Sequence, residues 1–346
     1  MRIPRWIKIP VPVAAVVLLA GLTLPAAAAP AGRPATAGPV FPAFVHLPAD
    51  QARHSGAMFE WWYTVGHVSA HGHRFGYEVT LSDSAGVPSA NIAITDQTTG
   101  RYYQHVAVYQ PAQVSMSTQR LDVRMPSAML SGPMGSMSLT ATLPGGAISM
   151  RLRDAGSALY PGGTGLIPFL SGQSYYYSLP SLATTGTLTV AGQRYRVSGQ
   201  SWLDRQWGTW DWAKLDKWTW MAIQLRGGEQ LNLWDMYGAD GETRYATVLY
   251  PDGHQSIVPV IPLARDASGI WTSPATGQQY RTHWIVRIPG LGTQLDVRAF
   301  PRQQEVMASF PGVTPSLFEG AATVTGMAGG RPVSGQAYVE QLGHWN

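Results

Sequence analysis

Short segments that alternate like β-strands recur along this chain about every ten residues, and this recurrence limits the fold more than any other feature. No stretch of about eleven residues repeats its apolar side chains with the 3.6-residue period of a helix. The spacing therefore predicts an all-β barrel or sandwich. In the first half the predicted strands are Glu60–Val65, Phe75–Leu81, Tyr103–Tyr109, Leu121–Met125, Met137–Leu143, Ile148–Leu152, Tyr175–Leu179, Thr187–Val190 and Tyr195–Ser201.

The second half repeats this pattern. Segments Trp218–Leu225 and Gln230–Tyr237 flank a Gly-containing turn and predict a long hairpin, which echoes Trp62–Gly86 in the first half. An internal duplication is one interpretation of the echo. The other is that any two hairpins look somewhat alike. Between the halves lies the densest aromatic run, Trp202–Trp212, and further strands are predicted at Thr243–Leu249, Gln279–Ile288, Gln294–Ala299, Ala321–Gly326 and Val333–Val339.

The N-terminus has the pattern of an export signal. Arg2, Arg5 and Lys8 precede an apolar run from Ile9 to Leu24, which ends in the small-residue segment PAAAAP. This pattern predicts a secretory signal peptide over residues 1–28, cleaved after Ala28, and hence a secreted protein. The alternative is an uncleaved anchor, for which a run of about 16 residues is short.

Domain organisation follows from these observations. After the signal peptide, residues 29–52 are rich in Ala, Pro and Gly and predict a tether. Residues 53–208 and 209–346 are then predicted to form an N-terminal and a C-terminal β-barrel domain.

Charge and cysteine content exclude several functions. The net charge of +4 includes the three cations of the export signal, so the mature chain is nearly neutral and has no electrostatic basis for binding nucleic acid. The absence of Cys excludes disulfides, thiolate zinc sites and a Cys nucleophile. His67, His71 and His73 flank a turn but do not converge, so neither a metal nor another cofactor is expected.

Several motifs, in order along the chain, resemble those of one known family. They are His54 with Glu60-Trp61-Trp62-Tyr63 and Gly66-His67, then Tyr176-Tyr177-Ser178, then Gly199–Gly208 (GQSWLDRQWG), then Phe318-Glu319-Gly320-Ala321, then Arg331–Glu340 (RPVSGQAYVE). Together they span Gln51 to Trp345 and resemble the AttH-type, carotenoid 1,2-hydratase-like family.

The resemblance implies two consecutive lipocalin-like (calycin) β-barrels. Relatives of this type include carotenoid hydratases, a fungal hydratase of prenylated isoflavonoids, cyclases and members of unknown role, while bacterial secreted members are often described as hydrolases. Since one fold serves several reactions, the resemblance alone does not fix the reaction. The chain also has no Gly-x-Ser-x-Gly elbow to support a hydrolase.

Asp235 is the first candidate for a catalytic acid. It alternates onto the same strand face as Leu231, Leu233 and Tyr237. A carboxyl group on an apolar face is costly unless it is paired or protonated, and a protonated one can donate a proton to an alkene. The resemblance adds that hydratases of the family have an Asp in the comparable strand. We expect Trp218 and Trp220 of the paired strand to lie beside it; the alternative is a strand-end Asp that accepts backbone hydrogen bonds.

Asp204 and Arg205 are further catalytic candidates because they lie in the most family-like motif. In the hydratases, the resemblance implies a His where this sequence has Arg205, and this departure counts against hydratase activity. The alternative is that the pair braces the junction between barrels, because Arg commonly makes bidentate bonds to buried carboxylates.

Further side chains are predicted to contact a substrate or to support the fold. The predicted substrate contacts are Trp62, Glu78, Tyr177, Trp207, Trp218, Trp220 and Tyr237. Glu78 has the alternative of an ion pair within the first barrel. Glu319 and Glu340 belong to terminal-strand motifs and are interpreted as structural anchors.

Three functions remain open from the sequence. The first is a cofactor-independent enzyme that hydrates, or cyclises with an acid, an apolar isoprenoid- or polyene-like substrate. The second is a non-catalytic carrier of a hydrophobic metabolite, and the third is a module with solid interiors. We therefore expect a small hydrophobic ligand as partner, with no nucleic acid and no stable membrane insertion. A cavity of several hundred Å³ inside either barrel would separate the first two functions from the third.

Overall fold

The structure is a computed structural model that describes residues 45–239, 241–308, 314 and 316–343. The predicted signal peptide and most of the predicted tether lie outside these residues. The described end of that tether, residues 45–52, contains a short 3-10 helix at Ala49–Gln51 and packs on the first sheet, where the Trp62 indole donates a hydrogen bond of 3.0 Å to the Gln51 carbonyl.

The first half of the chain forms a sheet of twelve antiparallel strands. They are β1 (Phe59–Ala70), β2 (His73–Ser84), β3 (Val87–Asp96), β4 (Arg101–Val108), β5 (Ser115–Met116), β6 (Asp122–Met125), β7 (Ala128–Ser131), β8 (Met137–Leu143), β9 (Gly146–Asp154), β10 (Leu166–Phe169), β11 (Gly172–Val190) and β12 (Gln193–Thr209). Their order is β4-β3-β2-β1-β12-β11-β9-β8-β7-β6-β5, with β10 paired to β11.

The second half forms a sheet of ten strands and a separate two-stranded ribbon, β18 with β19. The strands are β13 (Leu215–Leu225), β14 (Gln230–Gly238), β15 (Gly241–Leu249), β16 (Gln255–Pro259), β17 (Ala267–Ser268), β18 (Trp271–Thr272), β19 (Gln279–Tyr280), β20 (His283–Ile288), β21 (Thr293–Ala299), β22 (Glu305–Val306), β23 (Leu317–Ala328) and β24 (Arg331–Gly343). Their order is β16-β15-β14-β13-β24-β23-β21-β20-β17, with β22 paired to β23.

The two large sheets have the same connectivity. In each, a meander of four strands begins the half, and the first strand of the meander also pairs with the last strand of that half: β1 with β12, and β13 with β24. Both sheets are curled. This agreement supports the interpretation that the hairpin echo in the sequence reflects a structural repeat.

Alternation of side chains divides the apolar residues into three clusters. Strands such as β8 and β20 bury every second residue, as expected where one face is inside and the other outside. One cluster fills the interior of the first sheet and another that of the second. The third lies between the sheets and takes Tyr63, Tyr176 and Trp202 from the first and Trp220 and Trp234 from the second.

Close approach of the sheets requires a glycine at one contact. A Cβ atom at Gly76 of β2 would lie 2.4 Å from the Cβ of Ala321 on β23, well inside van der Waals contact. Since the central strands β1, β2, β13 and β14 have one face inside their own sheet and the other against the opposite sheet, they are buried on both faces.

The helices of the described residues are single 3-10 turns, at Ala49–Gln51, Pro111–Gln113, Pro161–Gly163, Trp212–Lys214, Leu263–Asp266 and Pro289–Leu291. None of the helices in this part of the chain is long and apolar enough to span a bilayer. The predicted all-β fold is confirmed, and each of the two predicted barrels is a curled half-barrel sheet.

Candidate functional site

Asp235 lies inside the second sheet. Its side chain is buried, on the same face as Leu231 and Leu233, and its Oδ2 accepts a hydrogen bond of 2.7 Å from the backbone N–H of Leu263. Burial raises the pKa of this carboxyl to about 6. The Glu242 carboxyl, within hydrogen-bonding reach of Asp235, adds to this increase.

The structure does not place the predicted tryptophans beside Asp235. Thr219 of β13 and Arg244 of β15 stand opposite it, whereas Trp218 and Trp220 project to the other face of the sheet. The prediction was wrong because residues directly opposite each other share a face, and the register pairs Asp235 with Thr219. Tyr237, two residues along β14, is half-buried beside the Lys217 ammonium, which lies 5.5 Å from its ring centre.

Arg205 lies inside the first sheet, where it is fully buried. Its Nη2 donates to Glu60 Oε1 and, at 2.6 Å, to the carbonyl of Ala52. Its guanidinium lies 3.9 Å from the Trp62 ring centre and 5.2 Å from that of Trp207. These contacts hold the cation in place, so Arg205 joins the N-terminal segment to the sheet, although its Nε has no hydrogen-bond partner among the described residues.

Trp62, Trp207 and Tyr177 all belong to this same interior cluster. The three predicted substrate contacts therefore surround Arg205 inside the first sheet, apart from Asp235 in the second and from the layer between the sheets.

Asp204 projects to the opposite face from Arg205, into the layer between the sheets. Its carboxylate accepts hydrogen bonds from the Tyr176 hydroxyl (2.5 Å), the Ser178 hydroxyl (2.5 Å) and the Trp202 indole (2.6 Å). From the second sheet, the Asn232 amide donates to the Tyr176 oxygen at 2.6 Å and to the Ser178 oxygen at 3.3 Å. We call Ser178, Asp204 and Asn232 the amide cluster.

Glu319 and Glu340 lie directly opposite each other on β23 and β24, in the same layer, and their carboxyl groups share a hydrogen bond. The Tyr63 hydroxyl of the first sheet donates to Glu319 Oε2 at 2.7 Å, and the Trp218 indole donates to Glu340 Oε1 at 2.5 Å. Glu319 is buried, and Glu340 is partly buried.

Glu78 of β2 completes a group of three carboxyls, which we call the acid cluster: Glu78, Glu319 and Glu340. Burial, with the nearby Glu340 charge, raises the pKa of Glu78 to about 8. Burial raises the pKa of Glu340 to about 7, and burial followed by the Glu340 and Glu78 charges raises that of Glu319 well above its usual range. At neutral pH the cluster therefore retains protons that ordinary carboxyls have lost.

Aromatic rings and unpartnered polar atoms surround the acid cluster. The Tyr63 and Trp220 rings meet edge to face at 5.4 Å. Glu78 Oε2, the Tyr338 hydroxyl and the Trp220 indole nitrogen are buried without a hydrogen-bond partner among the described residues. Orphaned polar atoms of this kind are uncommon in protein interiors, and a catalytic role or a bound water is among the explanations for them.

The two clusters are equivalent positions of the structural repeat. The segment GQSWLD (199–204) of β12 matches GQAYVE (335–340) of β24, so Asp204 corresponds to Glu340. The strand registers then pair Ser178 with Asp204 as they pair Glu319 with Glu340.

The same registers give the third equivalent pair. Glu78 stands opposite Val65, which is opposite Trp202, while Asn232 stands opposite Ala222, which is opposite Tyr338. Glu78 in the acid cluster thus corresponds to Asn232 in the amide cluster.

A cleft of about 490 Å³, which we call the rim cleft, opens between β4 and the segments around Trp271 and Glu305. Tyr102 connects it to the layer between the sheets, since its hydroxyl approaches the backbone carbonyl of Glu319 at 3.5 Å. A second cleft of about 390 Å³, lined by Glu242 and Arg244, lies near Asp235.

Metal-binding groups of three or more His, Cys, Asp or Glu side chains are not found among the residues that the structure describes. His67, one of the three histidines considered from the sequence, instead makes a 3.0 Å hydrogen bond from its Nε2 to the Ala337 carbonyl across the sheets. Burial lowers its pKa to about 4, so the ring is neutral and donates.

The fold and the site together define a class, that of lipocalin-like proteins with two curled sheets and carboxyl groups in the layer between them. Comparison with family models identifies the family. A sequence model of AttH-like proteins matches residues 40–344. The chain belongs to the AttH-like family, and the resemblance found in its motifs is confirmed.

Solved structures agree with this assignment. A structure described as an AttH protein of Nitrosomonas europaea is 23% identical, covers 88% of this chain and 99% of its own, and has a TM-score of 0.78. Kievitone hydratase of Nectria haematococca is 19% identical, with coverages of 88% and 94% and a TM-score of 0.75. These likenesses confirm the lipocalin-like fold.

Among curated proteins, the dehydratase asqC of Emericella nidulans is 29% identical over 192 residues. The match covers 53% of this chain and 54% of that protein, so this chain aligns with about half the length of the dehydratase.

Proposed function

We propose that this protein is an enzyme that adds water to, or removes it from, a carbon–carbon double bond of an apolar isoprenoid- or polyene-like substrate. The acid cluster is the observation that supports this proposal most strongly. Three carboxyls with raised pKa values, in an aromatic layer between two sheets, form a proton-donating site at neutral pH.

The reaction balances with water alone. A protonated carboxyl of the acid cluster transfers its proton to one alkene carbon, which leaves a carbocation on the other carbon and a carboxylate on the enzyme. Water then adds to the cation and loses a proton, which restores the carboxyl. Dehydration is the reverse. Trp220 and Tyr63 supply ring faces that stabilise a cation.

Glu78 is the carboxyl best suited to this proton transfer. Its pKa of about 8 keeps it protonated at pH 7, and its Oε2 has no hydrogen-bond partner among the described residues. Asp235, with a pKa of about 6, is largely ionised at the same pH. The acid predicted from the sequence is therefore the weaker candidate in the structure.

The relatives support a reaction of this class. A curated relative is named a dehydratase and a structural neighbour is named kievitone hydratase. Both names describe addition or removal of water, which is the chemistry that the acid cluster suits.

An isotope experiment tests the proposal. Purified protein is incubated in H₂¹⁸O with farnesol, farnesoic acid and squalene, and the products are analysed by mass spectrometry. We expect ¹⁸O incorporation by the wild type and a loss of about 10²- to 10⁴-fold in Glu78→Gln, which retains the side-chain shape but has no acid proton. Asp216→Asn, an exposed carboxyl elsewhere, serves as the control.

The second candidate function is a carrier of a hydrophobic metabolite, which the rim cleft supports by its volume and aromatic lining. Ligand retained by the purified protein without label incorporation in the isotope experiment favours the carrier over the enzyme. Export is part of either proposal, and N-terminal sequencing of secreted material tests cleavage after Ala28.

A further inference from the structure

The rim cleft combines aromatic walls with a cation at its mouth. Tyr102 and Tyr103 of β4 line the cleft together with Trp271 and Met307 of the second half, while Arg101 begins β4 at its edge. We propose that the rim cleft binds an isoprenoid or polyene with an anionic end group, such as a carboxylate, and that Arg101 pairs with this group. The identity of the apolar tail rests on the proposed function.

Arg101 has its charge available for a ligand. Its side chain is exposed and makes no ion pair with any residue that the structure describes. Asp96 stands opposite it in the sheet, but Asp96 Oδ1 accepts hydrogen bonds from the backbone N–H groups of Thr98 (2.9 Å) and Thr99 (3.0 Å).

Glu305, the carboxyl that lines the rim cleft, has its oxygens engaged away from Arg101. Oε1 accepts hydrogen bonds from the hydroxyls of Thr276 (2.7 Å) and Ser316 (2.6 Å), and Oε2 accepts one from Ser273. Hydroxyl donors on both oxygens stabilise the charge of Glu305 where it lies, so Arg101 remains the unpaired charge of the described lining.

The positions of Arg101 and Tyr102 predict which end of the substrate lies at the edge of the cleft and which end lies inside. Arg101 lies at the exposed edge, whereas the Tyr102 hydroxyl reaches the carbonyl of Glu319 in the layer that holds the acid cluster. An anionic head at Arg101 thus directs the tail inward, toward Tyr102. Gln104, two residues along the same strand face, presents a buried side-chain oxygen without a donor among the described residues, which suits a hydroxyl on the tail.

A matched pair of probes tests the head-group assignment. Farnesoic acid and farnesol share one carbon skeleton and differ in whether the end group is charged at pH 7.5. We expect equilibrium dialysis to show the acid bound about fivefold or more tightly than the alcohol, with the difference decreasing as salt is raised. Arg101→Gln should abolish the difference without weakening farnesol binding, while Arg101→Lys should retain part of it.

The control is Arg194→Gln, which removes an exposed cation at the start of β12. This variant should leave the preference for farnesoic acid over farnesol unchanged. Equal affinity of the wild type for both probes, equal weakening of both by Arg101→Gln, or no binding of either probe would each overturn the proposal. The assay measures binding in the absence of turnover. The proposed function is tested separately: it fails if the Glu78→Gln variant still turns over its substrate, whatever the result of the binding assay.

Discussion

The amide cluster and the acid cluster occupy equivalent places in the two halves of the chain, yet they differ in hydrogen-bonding character. In the amide cluster one carboxyl, Asp204, whose pKa burial raises to about 7, receives three donors, and Asn232 bridges two of those donors from the other sheet. In the acid cluster, Glu319 takes the place of Ser178 and Glu78 that of Asn232. The same backbone pairing thus holds one carboxyl in the first case and three in the second.

This difference shows which polar groups the fold needs in order to join its two sheets. Two curled sheets can be joined by a hydroxyl, an amide and one carboxyl, as the amide cluster demonstrates. Three carboxyls held together in this layer cost stability because each must retain a proton or find donors. The proposed proton transfer would explain their presence at the equivalent place, and four predictions test that explanation.

The largest expected effect comes from exchanging the two equivalent acids for their amides. Glu340→Gln should lower turnover in the isotope assay by about 10²- to 10⁴-fold, because it removes a carboxyl that shares its proton with Glu319. Asp204→Asn should retain turnover within about tenfold, because Asp204 is held by three donors in the other cluster and is not grouped with Glu78, the proposed proton donor. Equal losses in the two variants would contradict the distinction between the clusters.

Stability should fall with rising pH because of the acid cluster. Glu78 has a pKa of about 8 in the folded protein against 4.5 for an ordinary Glu, so between these values the folded chain holds a proton that the unfolded chain has released. Unfolding free energy therefore decreases from about pH 4.5 to about pH 8 and levels off above. Glu78→Gln imitates the protonated form and should remove on the order of 2 to 4 kcal/mol of this decrease.

Urea unfolding at intervals from pH 5 to pH 8.5 measures this effect. Glu78→Gln should match the wild type near pH 5 and exceed its stability at pH 8.5, whereas the exposed Asp216→Asn should follow the wild type throughout. Parallel curves for Glu78→Gln and the wild type would mean that Glu78 is ionised in the folded protein.

Introducing a carboxyl into the amide cluster should lower the stability of the protein, whereas removing one from the acid cluster should raise it at high pH. Asn232→Asp removes the donors to Tyr176 and Ser178 and places a second carboxyl near Asp204. We expect a destabilisation of about 2 to 3 kcal/mol at pH 7.5, measured by urea unfolding. An unchanged midpoint would show that the amide cluster does not depend on these donors.

The fold is largely predictable because alternation and spacing are local properties of the sequence. Local pattern identifies the hairpins β1–β2 and β13–β14, but it predicts β11 and β12 only in pieces. In β11 the strand continues through Pro180 with a register shift between Leu179 and Leu182, and a proline within a run ordinarily argues against a strand. The partners that hold such a strand together lie far along the chain.

The site is less predictable because it depends on which faces meet. Glu319 and Glu340 belong to recognisable motifs, but the sequence favours interpreting them as anchors, since nothing local shows that the two sheets pack on that face. A signal does exist in the sequence: GQSWLD and GQAYVE align, so an acid recurs at the same position of both last strands. This internal repeat by itself pairs Asp204 with Glu340.

The smallest expected effect is that of Asp235→Asn, the variant that separates the acid predicted from the sequence from the acid cluster. Asp235 lies inside the second sheet, and an amide oxygen can still accept the N–H of Leu263, so stability should change by about 1 kcal/mol or less. With a pKa of about 6, Asp235 is mostly ionised at pH 7.5 and donates few protons there, so turnover in the isotope assay should remain within about threefold of the wild type. A loss of several orders of magnitude with normal unfolding behaviour would instead place the reaction in the second sheet and leave the acid cluster without a catalytic role.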